Sequence, residues 1–403
     1  MMRIVPRPDV ARRLVFGVLL CATTSTAGCT RDSTGDGAVL TDSAGVTVVS
    51  NRGPDAHLEW RIHRLFALGG RETGPETFYE VRQTSVGVDA SGDLYVLDAR
   101  AHRVIVFDGD GNHLRTMGRE GEGPGELALP FSLTVRPDGT ALVDDLGRGR
   151  LIAFAPDGTS ADTEQRPLPG TRRVYWNGGS YESDMTLDTV GVQYELNMIA
   201  GADTTTVADF HVSVGMRLVE LPSCGMSFSG MPPLFAKDQR WDAWGSRLAV
   251  RSGAAYEVDV YESGRHVTRA RRRVDPLPAS TELAVRELGE AMTIGTSAGE
   301  RRCDPVETVE QRGYEGVLPA IRELRVDPGG RIWIGRAGPR PESTPTDILA
   351  ADGTYLGTLP STVPFPIGFL PDGRALVAET DDLGVTRLAV YRVEEVPSGF
   401  EPE

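Results

Sequence analysis

Three carboxylates and one guanidinium recur at a single position of a repeating pattern. Asp98, Asp145, Arg336 and Glu379 each follow a turn glycine (Gly92, Gly139, Gly330, Gly373) by six residues. Equivalent positions in a ring would bring the acids together at one mouth of a channel, where carboxylate oxygens could take a cation or a cationic group. A hard divalent ion such as calcium is the metal this donor type suits, with Asp98, Asp145 and Glu379 as the candidate ligands. The segments beside them, 98–103 and 144–150, add Arg100, His102, Arg103 and Arg148, and widen the set into a candidate binding surface. The commoner use of such Asp residues is structural: Asp98 and Asp145 would cap their own loops or pair with Arg103 and Arg150.

Other familiar chemistry is missing from the sequence. The six His are scattered without a metal-like pair, and there is no Gly-x-Ser-x-Gly nucleophile turn. GREGEGPGEL (118–127) is glycine-rich but lacks the Lys and Ser/Thr of a phosphate loop, and its Glu residues would repel phosphate. It reads as a tight connector. Formal net charge is −15, from 42 basic and 57 acidic residues. That excess disfavours nucleic acid and anionic headgroups as partners.

The N-terminus reads as an export signal. Arg3, Arg7, Arg12 and Arg13 precede the apolar stretch LVFGVLLCA (14–22), too short to span a bilayer of roughly 30 Å. Thr26-Ala27-Gly28-Cys29 resembles a bacterial lipobox, with Thr26 where Leu is usual. The resemblance implies a lipid on Cys29 and a place on the periplasmic side of the outer membrane; cleavage after Ala27 would instead release a soluble periplasmic or secreted protein. Residues 1–28 are therefore expected to be the signal and 29–41 a flexible tether. Cys224 and Cys303 then remain as an even pair in an oxidising compartment, where a disulfide is expected.

The elements that must position these side chains repeat. VDASGDLYVLDARAHRVIVFDGDGNHLRT (88–116) aligns without a gap on VRPDGTALVDDLGRGRLIAFAPDGTSADT (135–163) at an offset of 47, which superposes Gly92 on Gly139, Asp98 on Asp145 and Phe107 on Phe154. Each unit reads strand, Gly turn, apolar strand, polar loop, alternating strand, Asp-Gly turn. Partial copies occur at 244–264, 326–353 and 370–379, and a divergent one is inferred over 171–220. A period of 40–50 residues carrying four short strands is that of propeller blades, which must stack around an axis because one meander cannot bury both faces.

The motif Asp-x-x-Gly-x-Leu-Tyr-Val-x-Asp, then Arg-Val-x-Val-Phe-Asp, then GREGEGPGEL resembles an NHL-type repeat. The whole layout is similar to six-bladed β-propeller lipoproteins and secreted proteins of bacteria, which implies an all-β fold of six four-stranded antiparallel blades over 42–396, with 397–403 as a tail. Residues 46–50 are expected to pair with 387–393 and close the ring. STELAVRELGEAM (280–292) reads as an inserted helix capped by Ser280.

In an up-and-down blade the a–b and c–d turns share one face, and the b–c loops and d–a connections share the other. The tight Gly turns fall on the first face and the long charged segments on the second, which is the candidate binding face. The expected function is a non-catalytic binding or scaffolding propeller of the cell envelope, recognising a peptide, protein or glycan, with no cofactor and no contact with nucleic acid, and with membrane contact only through the lipid. The alternative is a metal-dependent hydrolase or lactonase. Calcium-dependent lactonases share the six-bladed fold, but their channel ligands include Asn, and none of Asn51, Asn112, Asn177 or Asn197 sits at the strand-b position.

Overall fold

Period-2 strands bounded by glycine turns send alternate side chains to opposite neighbours, and that rule builds a ring of six antiparallel sheets. The structure, a computed structural model, describes residues 37–395 except 71–73, 75–76, 79–82, 166–171, 188–190, 214–217, 230, 237–238, 252, 290–291, 297–298, 339–343 and 381–384. The export signal, Cys29, residues 29–36 of the expected tether and the tail 397–403 lie outside the described residues.

Blade 1 comprises Val86–Val88, Leu94–Asp98, Arg103–Phe107 and His113–Met117. Blade 2 comprises Pro130–Val135, Ala141–Asp145, Arg150–Phe154 and Glu164–Gln165. Blade 3, the divergent unit, is Arg173–Trp176, Gly179–Leu187, Gly191–Ala200 and Asp203–Ser213. Blade 4 holds Arg240–Trp244, Arg247–Arg251, Glu257–Glu262 and Arg265–Arg272. Blade 5 holds Ile321–Val326, Ile332–Arg336, Thr346–Leu349 and Tyr355–Leu359. Blade 6 is Gly368–Phe369, Ala375–Thr380 and Thr386–Glu394, completed by Arg61–Leu68 from the N-terminal side.

The core follows from strand parity. Tyr95 and Leu97 of blade 1 pack toward blade 2 with Leu133, Val143 and Ile152, while Leu94 and Val96 pack toward blade 6 with Leu376, Leu388 and Val390. Every residue of Leu94–Asp98 is buried because both faces are covered. Each such aliphatic side chain contributes roughly 1.5–3 kcal/mol by leaving water. The turns before these strands need positive φ, which Gly92 (+92°) and Gly139 (+87°) adopt without a Cβ clash.

Ring closure differs from the expected pairing. Arg61–Leu68, not residues 46–50, runs antiparallel to Thr386–Glu394 as the outer strand of blade 6. Val46–Asn51 instead adds in parallel to Arg265–Arg272 at the rim of blade 4, and Ala38–Ser43 folds back on it, giving that blade six strands. Asn51 bonds across to blade 5: its Nδ2 donates to the Gly353 carbonyl at 3.0 Å and its Oδ1 accepts the Tyr355 amide at 2.8 Å. The tether expected to reach residue 41 therefore ends earlier, since Ala38 already lies in a strand.

Two d–a connections are long enough to fold. The first, between blades 3 and 4, contains the hairpin Leu218–Leu221 and Met226–Ser229. The second, between blades 4 and 5, contains helix α1 (Thr281–Leu288), the hairpin Met292–Thr296 and Gly299–Cys303, and helix α2 (Pro305–Arg312). α1 is capped by the Ser280 side chain as expected, but it stops at Gly289 (φ +67°), so Met292 opens a strand rather than ending the helix. α2 was not anticipated, although Asp304-Pro305 with Glu307 is a sequence signature of a helix start. The two excursions form one small lobe around Val219, Leu221, Leu234, Ala284 and Val309, with Cys224 bonded to Cys303.

Candidate functional site

The innermost strand of each blade contributes to the wall of a central cavity of about 870 Å³. Chain direction fixes which residues stand at which end. Strand a enters from the d–a connection, so its first residues border the long-loop mouth and its last residues border the tight turns. Arg172, Arg173, Gln239, Arg240 and Glu323 border the long-loop mouth, with Asp242 and Arg325 further along their strands. Tyr175, Trp176, Trp241, Trp244, Phe131 and Phe369 supply aromatic surface to the same cavity.

The polar groups are linked across blades. Arg172 ion-pairs with Asp242, donates to the Trp241 carbonyl, and lies 4.7 Å above the Trp241 ring. The other Asp242 oxygen accepts the Val326 amide of blade 5 at 2.8 Å. Arg173 pairs with Glu182 at 3.0 Å, and Ser180 holds the second Glu182 oxygen at 3.0 Å. Arg325 donates from Nη1 to the Leu324 carbonyl at 2.6 Å and from Nε to the Ile367 carbonyl at 3.1 Å, while Glu323 stands off at 3.9 Å. Burial pushes the Arg325 guanidinium below the usual arginine range; Asp242 and Glu323 oppose this, and Arg172 and Arg240 add to it. Both amide atoms of Gln239 are buried with no hydrogen-bond partner among the described residues.

None of the eight residues singled out in the sequence borders this cavity. Strand b is second from the axis, so its end points between blades. Asp98 is fully buried against Arg103 at 3.4 Å, and Arg103 also donates to the Thr77 carbonyl at 2.6 Å. Asp145 caps its loop: it accepts the amides of Ala128 (2.6 Å), Leu129 (3.0 Å) and Arg148 (3.1 Å). The Arg148 side chain donates to the Gly123 carbonyl at 2.8 Å. His102, at a left-handed φ of 53°, sets Nδ1 2.9 Å from the Leu127 carbonyl, and Arg100 is exposed. Glu379 pairs with Arg64 at 3.2 Å and accepts from the Tyr391 hydroxyl, whose pKa burial and this bond push up to about 12.

Arg336 belongs to a network between blades 4 and 5. It contacts Asp347 at 3.1 Å and Asp55; Arg272 contacts Asp347 at 3.1 Å and Asp55 at 2.6 Å; and Tyr256 donates to Asp347 at 3.0 Å. Asp55 thus pins the N-terminal segment over this junction. Among the described residues, no three His, Cys, Asp or Glu side chains come together as a metal would require.

The wall residues had a sequence signal. Counting back five from each turn glycine gives Gly87, Thr134, Arg325 and Gly368, so a long cation occupies a position that is small in three other blades. Arg172-Arg173 and Arg240 likewise stand at the start of inner strands that could not be aligned from the repeat.

No family model and no curated protein sequence matches the chain. Solved structures do. A protein of Bacteroides fragilis whose name describes it as exported (BF0058) superposes with a TM-score of 0.51 at 11% identity, covering 87% of this chain and 100% of its own. A member of the DUF4221 family from Bacteroides vulgatus gives a TM-score of 0.45 at 10% identity over 84% and 99%. A gluconolactonase from Xanthomonas campestris gives 0.35 at 13% identity over 85% and 98%. At these identities the first likeness shows the fold and nothing finer.

Proposed function

We propose that this chain is an exported, non-catalytic binding propeller that admits a ligand through the long-loop mouth of its central channel. The observation that carries the reading is the cavity itself, which joins aromatic surface to polar groups from three blades. Such a mouth suits a glycan or the end of a peptide chain, small enough to enter and polar enough to engage arginine. The N-terminal basic and apolar stretch supports export, and Cys29 supports a lipid anchor that would hold the mouth at the envelope. The disulfide between Cys224 and Cys303 accords with an oxidising compartment.

The test is to purify the chain from envelope fractions and release bound species by denaturation for mass spectrometry. Thr134→Trp, which fills the channel from strand a of blade 2, is run beside it. A species present with the wild-type chain and absent from the plugged variant is the expected result. Identical profiles from the two would sink the reading.

A further inference from the structure

We propose that the channel holds a carboxylate or phosphate anion, seated on the guanidinium of Arg325 with Arg172 and Arg240 beside it. The proposal rests on the channel being the ligand site and adds the chemistry of what enters. Arg325 is only 8% exposed, lines the cavity, and spends Nε and Nη1 on two backbone carbonyls. Its Nη2 has no hydrogen-bond acceptor among the described residues, and the carboxylate that pairs with it, Glu323, stands 3.9 Å from Nη1.

A guanidinium cannot shed its proton at any ordinary pH, so a buried one must be balanced by charge or it destabilises the fold. Asp242 and Glu323 favour the charge on Arg325, and Arg172 and Arg240 oppose it. Asp242 is already divided between Arg172 and the Val326 amide. Water could accept from Nη2, yet it brings no charge.

Space and direction agree with this. The positions equivalent to Arg325 in blades 1 and 6 are Gly87 and Gly368, so no comparable side chain from those blades competes for the axis. Gln239 lines the same cavity with a buried amide that can donate to an oxyanion and accept from a hydroxyl beside it. Planar forked donors are the geometry that carboxylate and phosphate take best.

The experiment titrates the purified chain with sodium acetate and, separately, inorganic phosphate at constant ionic strength in chloride, reading tryptophan fluorescence from the cavity. Saturable binding of at least one anion is expected, and the two arms separate carboxylate from phosphate. Arg325→Met should weaken it at least tenfold; because it also frees the Leu324 and Ile367 carbonyls, wild-type dichroism and elution are checked beside it. Gln239→Leu should weaken it a few-fold with the fold intact. No saturable response to either anion up to about 50 mM would overturn the proposal, as would affinity unchanged in both variants. Either failure leaves the channel reading standing if Thr134→Trp still displaces a native ligand.

Discussion

Cys224 and Cys303 are bonded to each other with Cα atoms 4.8 Å apart, although they stand 79 positions apart in the chain. The bond joins the two excursions that fold beside the channel mouth. Arg301 reinforces it by donating to the Cys224 carbonyl at 2.9 Å, and the Asp304 amide donates to Ser223 at 3.0 Å. In the chain-entropy account a loop of this length is worth up to about 4.5 kcal/mol. The Cys224→Ser, Cys303→Ser double variant should therefore melt several degrees lower. Far-ultraviolet dichroism should stay that of the wild type, because the blades are closed by their own strands. An unchanged melt would show that the lobe holds without the bond.

Asp145, by sequence either a candidate ligand or a loop cap, accepts three loop amides. Asp145→Ala orphans three amides at a fully buried position, which should cost about 3 kcal/mol by denaturant titration. Ligand and anion binding at the channel should be unaffected, since Asp145 does not border it. Lost binding with intact stability would reverse that assignment.

Asp55 gives the structure a pH dependence of definite sign. Burial pulls its carboxyl up, but hydrogen bonds and charge from Arg336 and Arg272 outweigh this and hold it below its ordinary value. A lowered folded-state pKa adds stability above the unfolded value near 3.8, and that stability is lost as pH falls through the folded one. Asp347 works in the opposite sense, because burial pushes its carboxyl up. Comparing Asp55→Asn with wild type isolates the first effect. Because the Asp55 side chain is 45% exposed, solvent screens the pair and the variant should be less stable by only about 0.5–1 kcal/mol at neutral pH, with the gap closing below about pH 4. A gap that stays constant into acid would mean that the charge of Asp55 is not what matters.

Blades 1 and 2 were legible in the sequence because positive-φ turns demand glycine at Gly92 and Gly139, and an offset between two such glycines survives divergence. Strand parity was legible for the same reason, and it placed the long loops on one face. The partner of Val46–Asn51 was not. An alternating apolar strand suits any open edge; here it pairs with blade 4 while Asn51 bonds across to Gly353 and Tyr355 of blade 5, some 300 residues away. The cavity wall was half legible. Arg325 stands in register with Gly87 and Gly368 on strand a, which faces the axis, whereas the acids that recur most visibly lie on strand b and are held by their own loops and blades.

The two N-terminal strand segments should differ sharply in what their removal does. Val46–Asn51 extends a blade that already has its four strands, whereas Arg61–Leu68 is the outer strand of blade 6 and the latch of the ring. Deleting residues 37–52 exposes the Arg265–Arg272 edge and removes the Asn51 contacts, so the chain should fold with a lowered melting temperature. Deleting residues 37–69 also strips Thr386–Glu394 of its partner and uncovers Leu388 and Val390 beside an open strand edge, a template for association. That chain should aggregate or elute as large species in size-exclusion chromatography. Equal behaviour of the two deletions would mean that the ring does not depend on its latch.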